Sequence, residues 1–196
     1  MINEQTLSVL RNELIESLGA PLIDRISEDS PVNGNGCSVT FKRSSCPLPH
    51  NAFELSRITR VVFMLPDNLQ AWATYAYGPK QEWSSVQTIT HELWQEFLAI
   101  ETCKFRKAKL EKLKGMAFLA VQDWRHQVLF EKELHTPGRI QELLSVSESN
   151  WRRDWLPLWR KMGALMAGID REMLTRVYRN QPRKAQARNR KDRAVA

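Results

Sequence analysis

The chain has 196 residues, 42% of them hydrophobic, and a formal net charge of +7, which fits one domain, or two small ones, with a buried core. No apolar run approaches the roughly 18 residues that cross a bilayer, and the first residues lack the basic start of a signal peptide. We therefore expect neither a membrane protein nor a secreted one, but a cytoplasmic protein.

The first fifty residues predict one helix and a loop region. Apolar residues recur at three- and four-residue spacing from Thr6 to Leu18, and Gly19 and Pro21 then act as stop signals. Residues 27–50 are rich in Ser, Pro, Asn and Gly. They include one short strand-like stretch at 37–42. We expect residues 1–50 to form an N-terminal helix and a loop with a short-strand insertion.

Residues 51–179 predict a compact, mainly α-helical core. A broad apolar face runs over residues 52–64 and is interrupted at Pro66. Asp67 is placed to cap a further helix that ends before a Gly-Pro pair. The next stretch with helical spacing begins near Ser84 and reaches residue 100.

A dense basic cluster precedes the following apolar run. Between Lys104 and Lys114, six cations accompany the single acid Glu111. A solvated helix face and a phosphate-contacting patch both fit this pattern. Since residues 1–175 are neutral overall, the cluster stands out. The candidate phosphate contacts in it are Lys104, Arg106, Lys107 and Lys109.

The segment at about 136–160 predicts a helix-turn-helix. Thr136 and Pro137 suit the cap and the first position of one helix. Residues 145–147 form the turn, and Ser147 can cap the second helix. The inward-facing residues of the first helix would be Ile140, Leu143 and Leu144.

The start of the second helix carries the side chains suited to reading DNA. In a helix-turn-helix these residues point into the major groove, where Asn suits adenine and Arg suits guanine. Trp151, Trp155 and Trp159 recur at four-residue spacing and are assigned to the core. The exposed readers would then be Ser149, Asn150, Arg152 and Arg153.

Three features depart from the usual motif. Gln141 stands near the position where a small residue normally lets the two helices approach, and Ser145 replaces the usual turn glycine. Pro157 lacks an amide hydrogen, and its ring crowds the carbonyl four residues back. The second helix must therefore bend or restart there.

Two blocks of sequence resemble bacteriophage antitermination protein Q, the activator of phage late genes. The first block covers 65–78 (LPDNLQAWATYAYG) and 91–97 (HELWQEF). The second covers 144–159 (LSVSESNWRRDWLPLW) and continues to 169–172 (IDRE). Its tryptophan after a short turn, its adjacent arginines and its proline six residues on look like the DNA-binding element of several Q proteins. With the stretch between them, the blocks span residues 50–178.

The resemblance implies a protein that binds DNA near a late promoter and engages paused RNA polymerase holoenzyme. It would then stay on the enzyme and suppress pausing and termination. The cysteine-rich zinc element of some Q proteins is missing, so metal dependence is not implied. Carried over residue by residue, the DNA contacts would be Ser147, Ser149, Asn150, Arg152 and Arg153.

Residues 180–196 predict a disordered basic tail, because they lack the apolar residues that a core needs. From residue 176 onward the chain holds eight basic residues against the single acid Asp192, so this end carries the whole charge excess. Its partner could be DNA, nascent RNA or an acidic polymerase surface. The candidate contacts in the tail are Arg183, Lys184, Arg188, Arg190 and Lys191.

Two other classes of function are open at this point. A repressor would use the same helix-turn-helix to occupy an operator without contacting polymerase. A phage nuclease could assemble carboxylates from distant parts of the sequence, and metal-dependent DNA cleavage would reveal it. The carboxylates considered are Asp67, Glu92, Glu96 and Asp123.

No assembled catalytic motif is found, and we expect neither an enzyme nor a cofactor. The chain contains no P-loop, no GxSxG and no dinucleotide fingerprint, and the pair His91-Glu92 lacks the second histidine of the HExxH pattern. A zinc site is conceivable, but its spacing matches no common ligand pattern. Its ligands would be Cys37, Cys46, His50 and Cys103.

Overall fold

The computed structural model describes residues 2–19, 52–79, 82–102 and 105–181, and every regular element within these ranges is a helix. The mainly α-helical fold is therefore confirmed. The predicted strand at 37–42 lies outside the described residues, as do residues 182–196 of the predicted tail. The elements are α1 (Glu4–Leu18), α2 (Ala52–Val62), α3 (Asp67–Tyr77), α4 (Trp83–Ile100), α5 (Lys107–Phe130), α6 (Pro137–Leu144), α7 (Glu148–Asn150), a π-helical turn (Trp151–Trp155) and α8 (Leu156–Asn180).

Helix α1 ends where the sequence predicts. The side chain of Asn3 caps its start by accepting a hydrogen bond from the amide of Gln5 at 2.7 Å. At its end Gly19 takes a left-handed conformation, with φ of 76°, which costs glycine least. The helix packs against α2, α3 and α8. Its buried residues are Leu7, Leu10, Leu14 and Ile15.

The start of α3 differs from the prediction. Pro66 occupies the N-cap, and Asp67 is the first helical residue, so the expected cap by Asp67 is wrong. The carboxylate of Asp67 still lies in the first turn, where the helix dipole favours a negative charge. At the other end Gly78 is required, because a Cβ atom there would lie 2.3 Å from the carbonyl oxygen of Thr74.

One apolar core includes residues from each described helix except α7. The two longest helices, α5 and α8, pack against each other, and α8 also contacts α1, α2, α3 and α4. Helix α8 is therefore the central element against which the others are arranged. None of the described helices combines the length and apolar character that a membrane span requires.

A buried carboxylate joins three of these helices. Asp170 of α8 is fully buried. It accepts hydrogen bonds from Trp72 Nε1 at 3.0 Å, from the Tyr77 hydroxyl at 2.8 Å and from Arg11 Nη2 at 3.0 Å. A charge is tolerated in a protein interior only when it is paired and hydrogen-bonded, and these three donors meet that condition. We call these four residues the Asp170 network.

Burial and the charge of Asp170 shift the pKa values of Tyr77 and Arg11 in the Asp170 network. Burial raises the pKa of Tyr77, and the negative charge of Asp170 raises it further, so the phenol stays protonated and donates. Burial lowers the pKa of Arg11, but its interactions with Asp170 and Tyr77 together outweigh this and the net shift is upward. Trp72, Tyr77 and Asp170 belong to the two blocks that resemble antitermination protein Q, so part of that resemblance lies in the core.

Candidate nucleic-acid interface

The predicted pair of helices at 136–160 corresponds to α6 and to the segment that α7 begins. The Thr136 side chain accepts a hydrogen bond from the amide of Arg139 at 3.3 Å, and Pro137 opens α6, as predicted. Ile140 and Leu144 are buried, since they lie four residues apart on one face. Leu143 is 46% exposed, and its predicted inward orientation is wrong because it points about 100° away from Leu144.

The turn between the two helices is closed at Ser145. This residue has φ of 51° and ψ of 56°, a left-handed conformation that glycine adopts at lower cost. The amide of Val146 donates to the carbonyl of Gln141 at 2.9 Å, and that of Ser145 to Glu142 at 3.0 Å. These bonds satisfy the end of α6 in the manner of a Schellman motif. Serine therefore stands where the usual motif has glycine, and it adopts the same conformation.

The second helix begins after Ser147 and changes from α-helical to π-helical before Pro157. Ser147 holds the N-cap position, but its side chain makes no capping bond, contrary to prediction, and its Oγ lies 3.5 Å from Ser149 Oγ. The backbone stays helical from α7 through the π-helical turn, where the amide of Leu156 donates to Trp151. Pro157 has no amide hydrogen to continue the α-helical pattern, and the wider turn accommodates it. The predicted irregularity is confirmed.

The tryptophans of this segment lie in the core, as predicted. Trp151 and Trp155 are buried, and Trp159 is half-buried with its ring centroid 6.5 Å from that of Trp151. Because they anchor one side of the segment, the polar residues between them face outward.

The five residues predicted to contact DNA all lie exposed on this outward side. The two arginines among them form ion pairs, Arg152 with Glu148 and Arg153 with Asp154 at 2.9 Å, and Arg153 also donates to Asn150 Oδ1 at 3.3 Å. The hydrogen bond from Arg153 lowers the pKa of Asp154. Ion pairs this exposed contribute little stability, so a phosphate can displace the carboxylate. Contact of these residues with DNA stays a prediction.

The start of α5 lies beside the turn, and this brings part of the basic cluster to the same surface. The Lys112 ammonium donates to the carbonyl of Ser145 at 2.8 Å, and the Lys109 ammonium lies 5.4 Å from the Trp155 ring centroid. Arg106 and Lys107 are exposed at the helix start. Lys112 belongs to the predicted basic cluster at 104–114 but was not among its candidate phosphate contacts, although its three-residue spacing from Lys109 was an available signal. Lys104 and the five candidate contacts of the tail lie outside the described residues.

The loop that leads into α6 is held by Asp123 of α5. This buried carboxylate accepts hydrogen bonds from the amides of Leu134 at 2.8 Å and His135 at 3.0 Å, and from Gln127 Nε2 at 2.7 Å. Asp123 therefore fixes the start of the helix pair relative to α5. Burial lowers the pKa of His135.

The structure does not bring the four carboxylates of the nuclease hypothesis together as a metal site. Asp123 is bound to the loop, and Glu92 accepts a hydrogen bond from Asn68 Nδ2 at 3.1 Å. Among the residues that the structure describes, no three Asp, Glu, His or Cys side chains lie close enough to hold an ion. The conceivable zinc ligands are outside the described residues: Cys37, Cys46, His50 and Cys103.

Comparison with known proteins identifies one family. Residues 23–196 match the family model of phage antitermination protein Q. No curated protein and no solved structure matches the chain. Helix α1 precedes the matched residues, although its Arg11 completes the Asp170 network.

Proposed function

The chain belongs to the phage antitermination protein Q family, whose members regulate transcription, and from this premise we propose how it acts as an antiterminator. It binds DNA near a phage late promoter, engages RNA polymerase holoenzyme paused there and suppresses pausing and termination during elongation. The surface formed by the turn after α6, by α7 and by the π-helical turn reads the DNA.

The observation that carries the proposal is the contrast between the two sides of the segment 147–155. Trp151 and Trp155 anchor one side in the core, so the other presents hydroxyl, amide and guanidinium groups from a fixed backbone. Such groups match the donors and acceptors of base edges and phosphates. The readers we propose are Ser147, Ser149, Asn150, Arg152 and Arg153.

Cations beside these proposed readers support contacts with the DNA backbone. Lys109 and Lys112 are held next to the turn by their contacts with Trp155 and Ser145. We include Arg106 and Lys107 at the start of α5, and we assign the cations beyond residue 181 the same sequence-independent role. Phosphate contacts orient a protein on the duplex without reading sequence, so these residues set affinity and the serine, asparagine and arginine residues set specificity.

Transfer from DNA to polymerase requires modest affinity for DNA. A small set of five proposed readers and a net charge of zero over residues 1–175 are consistent with such binding. The same features suit a protein that leaves its DNA site when the polymerase moves away.

The decisive experiment is transcription in vitro with bacterial RNA polymerase, from the cognate late promoter through an intrinsic terminator. We expect readthrough that depends on both the protein and the promoter. The double variant Arg152→Ala and Arg153→Ala should lose readthrough while keeping the helical circular dichroism spectrum. A chain ending after Gln181 should bind DNA more weakly with unchanged sequence preference. Specific DNA binding without readthrough would instead identify a repressor.

A further inference from the structure

A second surface, on the other side of α5, has the composition of a binding site for a single strand of nucleic acid. A groove of about 490 Å³ lies between α4 and α5. Its walls carry the aromatic rings of Trp83, Trp94 and Phe118, together with Lys114. None of the described residues that line it is acidic. We call this the α4–α5 groove.

The most exposed ring in the groove is that of Trp83. It is 61% exposed at the first turn of α4, and it meets Phe118 edge-on with ring centroids 5.6 Å apart. Trp94 is held more firmly, since it is half-buried and stacks on Phe97 with centroids 5.8 Å apart. An exposed indole braced by a neighbouring ring offers a flat apolar face at low cost in side-chain entropy.

Lysines of α5 face two different surfaces. Lys109 and Lys112 face the turn after α6. Lys114 and Phe118 are four residues apart, so they share the face that borders the groove. Lys114 lies 3.5 Å from Glu111, with both side chains exposed, so this pair yields readily to a phosphate.

We propose that the α4–α5 groove binds single-stranded RNA, with a base stacked on Trp83 and a phosphate on Lys114. Stacking of unpaired bases on aromatic rings beside cations is how proteins hold single strands without reading their sequence. The amides of Gln87 and Gln95 at the rim supply donors and acceptors for the base edges. The choice of RNA over single-stranded DNA rests on the proposed function, because an elongating polymerase emits RNA.

The test uses the full chain and a fluorescein-labelled single-stranded RNA of about ten nucleotides, without polymerase or promoter DNA. Fluorescence anisotropy gives the affinity, and quenching of tryptophan emission reports stacking. Trp83→Ala should weaken binding by about ten-fold or more, whereas Trp83→Phe should keep most of it. Lys114→Ala should weaken binding by a few fold and reduce its salt dependence. Phe63→Ala is the matched control, because it removes an exposed ring outside the groove and should change nothing.

Equal binding of the RNA by Trp83→Ala and the unchanged chain would overturn the proposal. Equally tight binding of single-stranded DNA of the same sequence would overturn the choice of RNA. If Trp83→Ala weakens binding to purified polymerase and leaves RNA binding intact, the occupant is a protein surface and the proposal is wrong. Loss of promoter binding by the arginine variants with RNA binding retained would leave the groove assignment standing, so the two proposals can fail separately.

Discussion

Two arginine–aspartate pairs of nearly equal length have opposite roles in this molecule. Arg11 and Asp170 lie 3.0 Å apart, with side chains 26% and 0% exposed. Arg153 and Asp154 lie 2.9 Å apart, with side chains 74% and 38% exposed. Only the first pair joins helices that are distant in sequence, and Trp72 and Tyr77 also donate hydrogen bonds to its carboxylate.

The surroundings decide what each pair can do. The carboxylate of Asp170 is enclosed by three donors, two on Oδ1 and one on Oδ2, and removing the carboxylate takes the acceptor from all three. The guanidinium of Arg153 can leave Asp154 for water or for a phosphate at little cost. The same two residue types therefore stabilise the fold in one place and remain free to exchange partners in the other.

The largest effect we expect comes from Asp170→Ala. This change removes the acceptor of Trp72 Nε1, of the Tyr77 hydroxyl and of Arg11 Nη2, which should lower the free energy of unfolding by about 3–5 kcal/mol. Urea unfolding followed by tryptophan fluorescence measures it. The control Asp154→Ala removes the exposed partner and should leave the unfolding midpoint unchanged. Similar losses in the two variants would contradict the distinction between the pairs.

The second effect concerns binding. Arg152→Ala and Arg153→Ala should each weaken binding to late-promoter DNA by about ten-fold or more, with unchanged thermal unfolding. The matched control is Arg139→Ala, since this arginine is also exposed and paired with a carboxylate, but on α6. Electrophoretic mobility shifts measure the affinities. If Arg139→Ala weakens binding as much as the other two variants, the DNA-reading residues are misassigned.

A smaller effect separates phosphate contacts from base readers. Lys109→Ala and Lys112→Ala should weaken binding of all DNA sequences alike, and each should lower the slope of log affinity against log salt by about one. Titrations at several salt concentrations, on specific and unrelated duplexes, test this. A change confined to the specific duplex would assign these lysines to base reading instead.

The smallest effect is expected at the turn. Ser145→Gly should raise the unfolding free energy by no more than about 1 kcal/mol, because glycine relieves the left-handed strain but adds entropy to the unfolded chain. Ser145→Val should lower it by about 1–2 kcal/mol, since a β-branched residue is strained in this conformation. Thermal unfolding of the two variants, compared with the unchanged chain, gives the signs. A stabilising valine would show that the turn is not left-handed in solution.

Local patterns predicted the helices of this protein well and some of their details poorly. The stop at Gly19, the start at Thr136 and the irregularity before Pro157 depend on backbone chemistry within a few residues, and each is confirmed. Asp67 and Leu143 were misplaced because a cap can shift by one residue, and because a short helix buries only the face that its neighbours cover.

The candidate interface was predictable in its sequence position but not in its surroundings. The spacing of Trp151, Trp155 and Trp159 already placed the arginines between them on the outward side. The neighbours of the turn come from α5, more than thirty residues earlier, so Lys112 could not be linked to Ser145 by pattern.

The sequence by itself determined the helical periodicity, the turn at 145–147, the outward arginines and the family, because each is encoded by residues close together in the chain or by a contiguous match. Only the tertiary structure decided which polar residues are free for a partner. Asp123, Asp170 and Arg11 resemble surface residues when they are read along the chain, but distant donors and acceptors enclose them. The α4–α5 groove likewise exists only because two helices pack side by side. Burial and partnership depend on contacts across the fold, which short-range spacing does not specify.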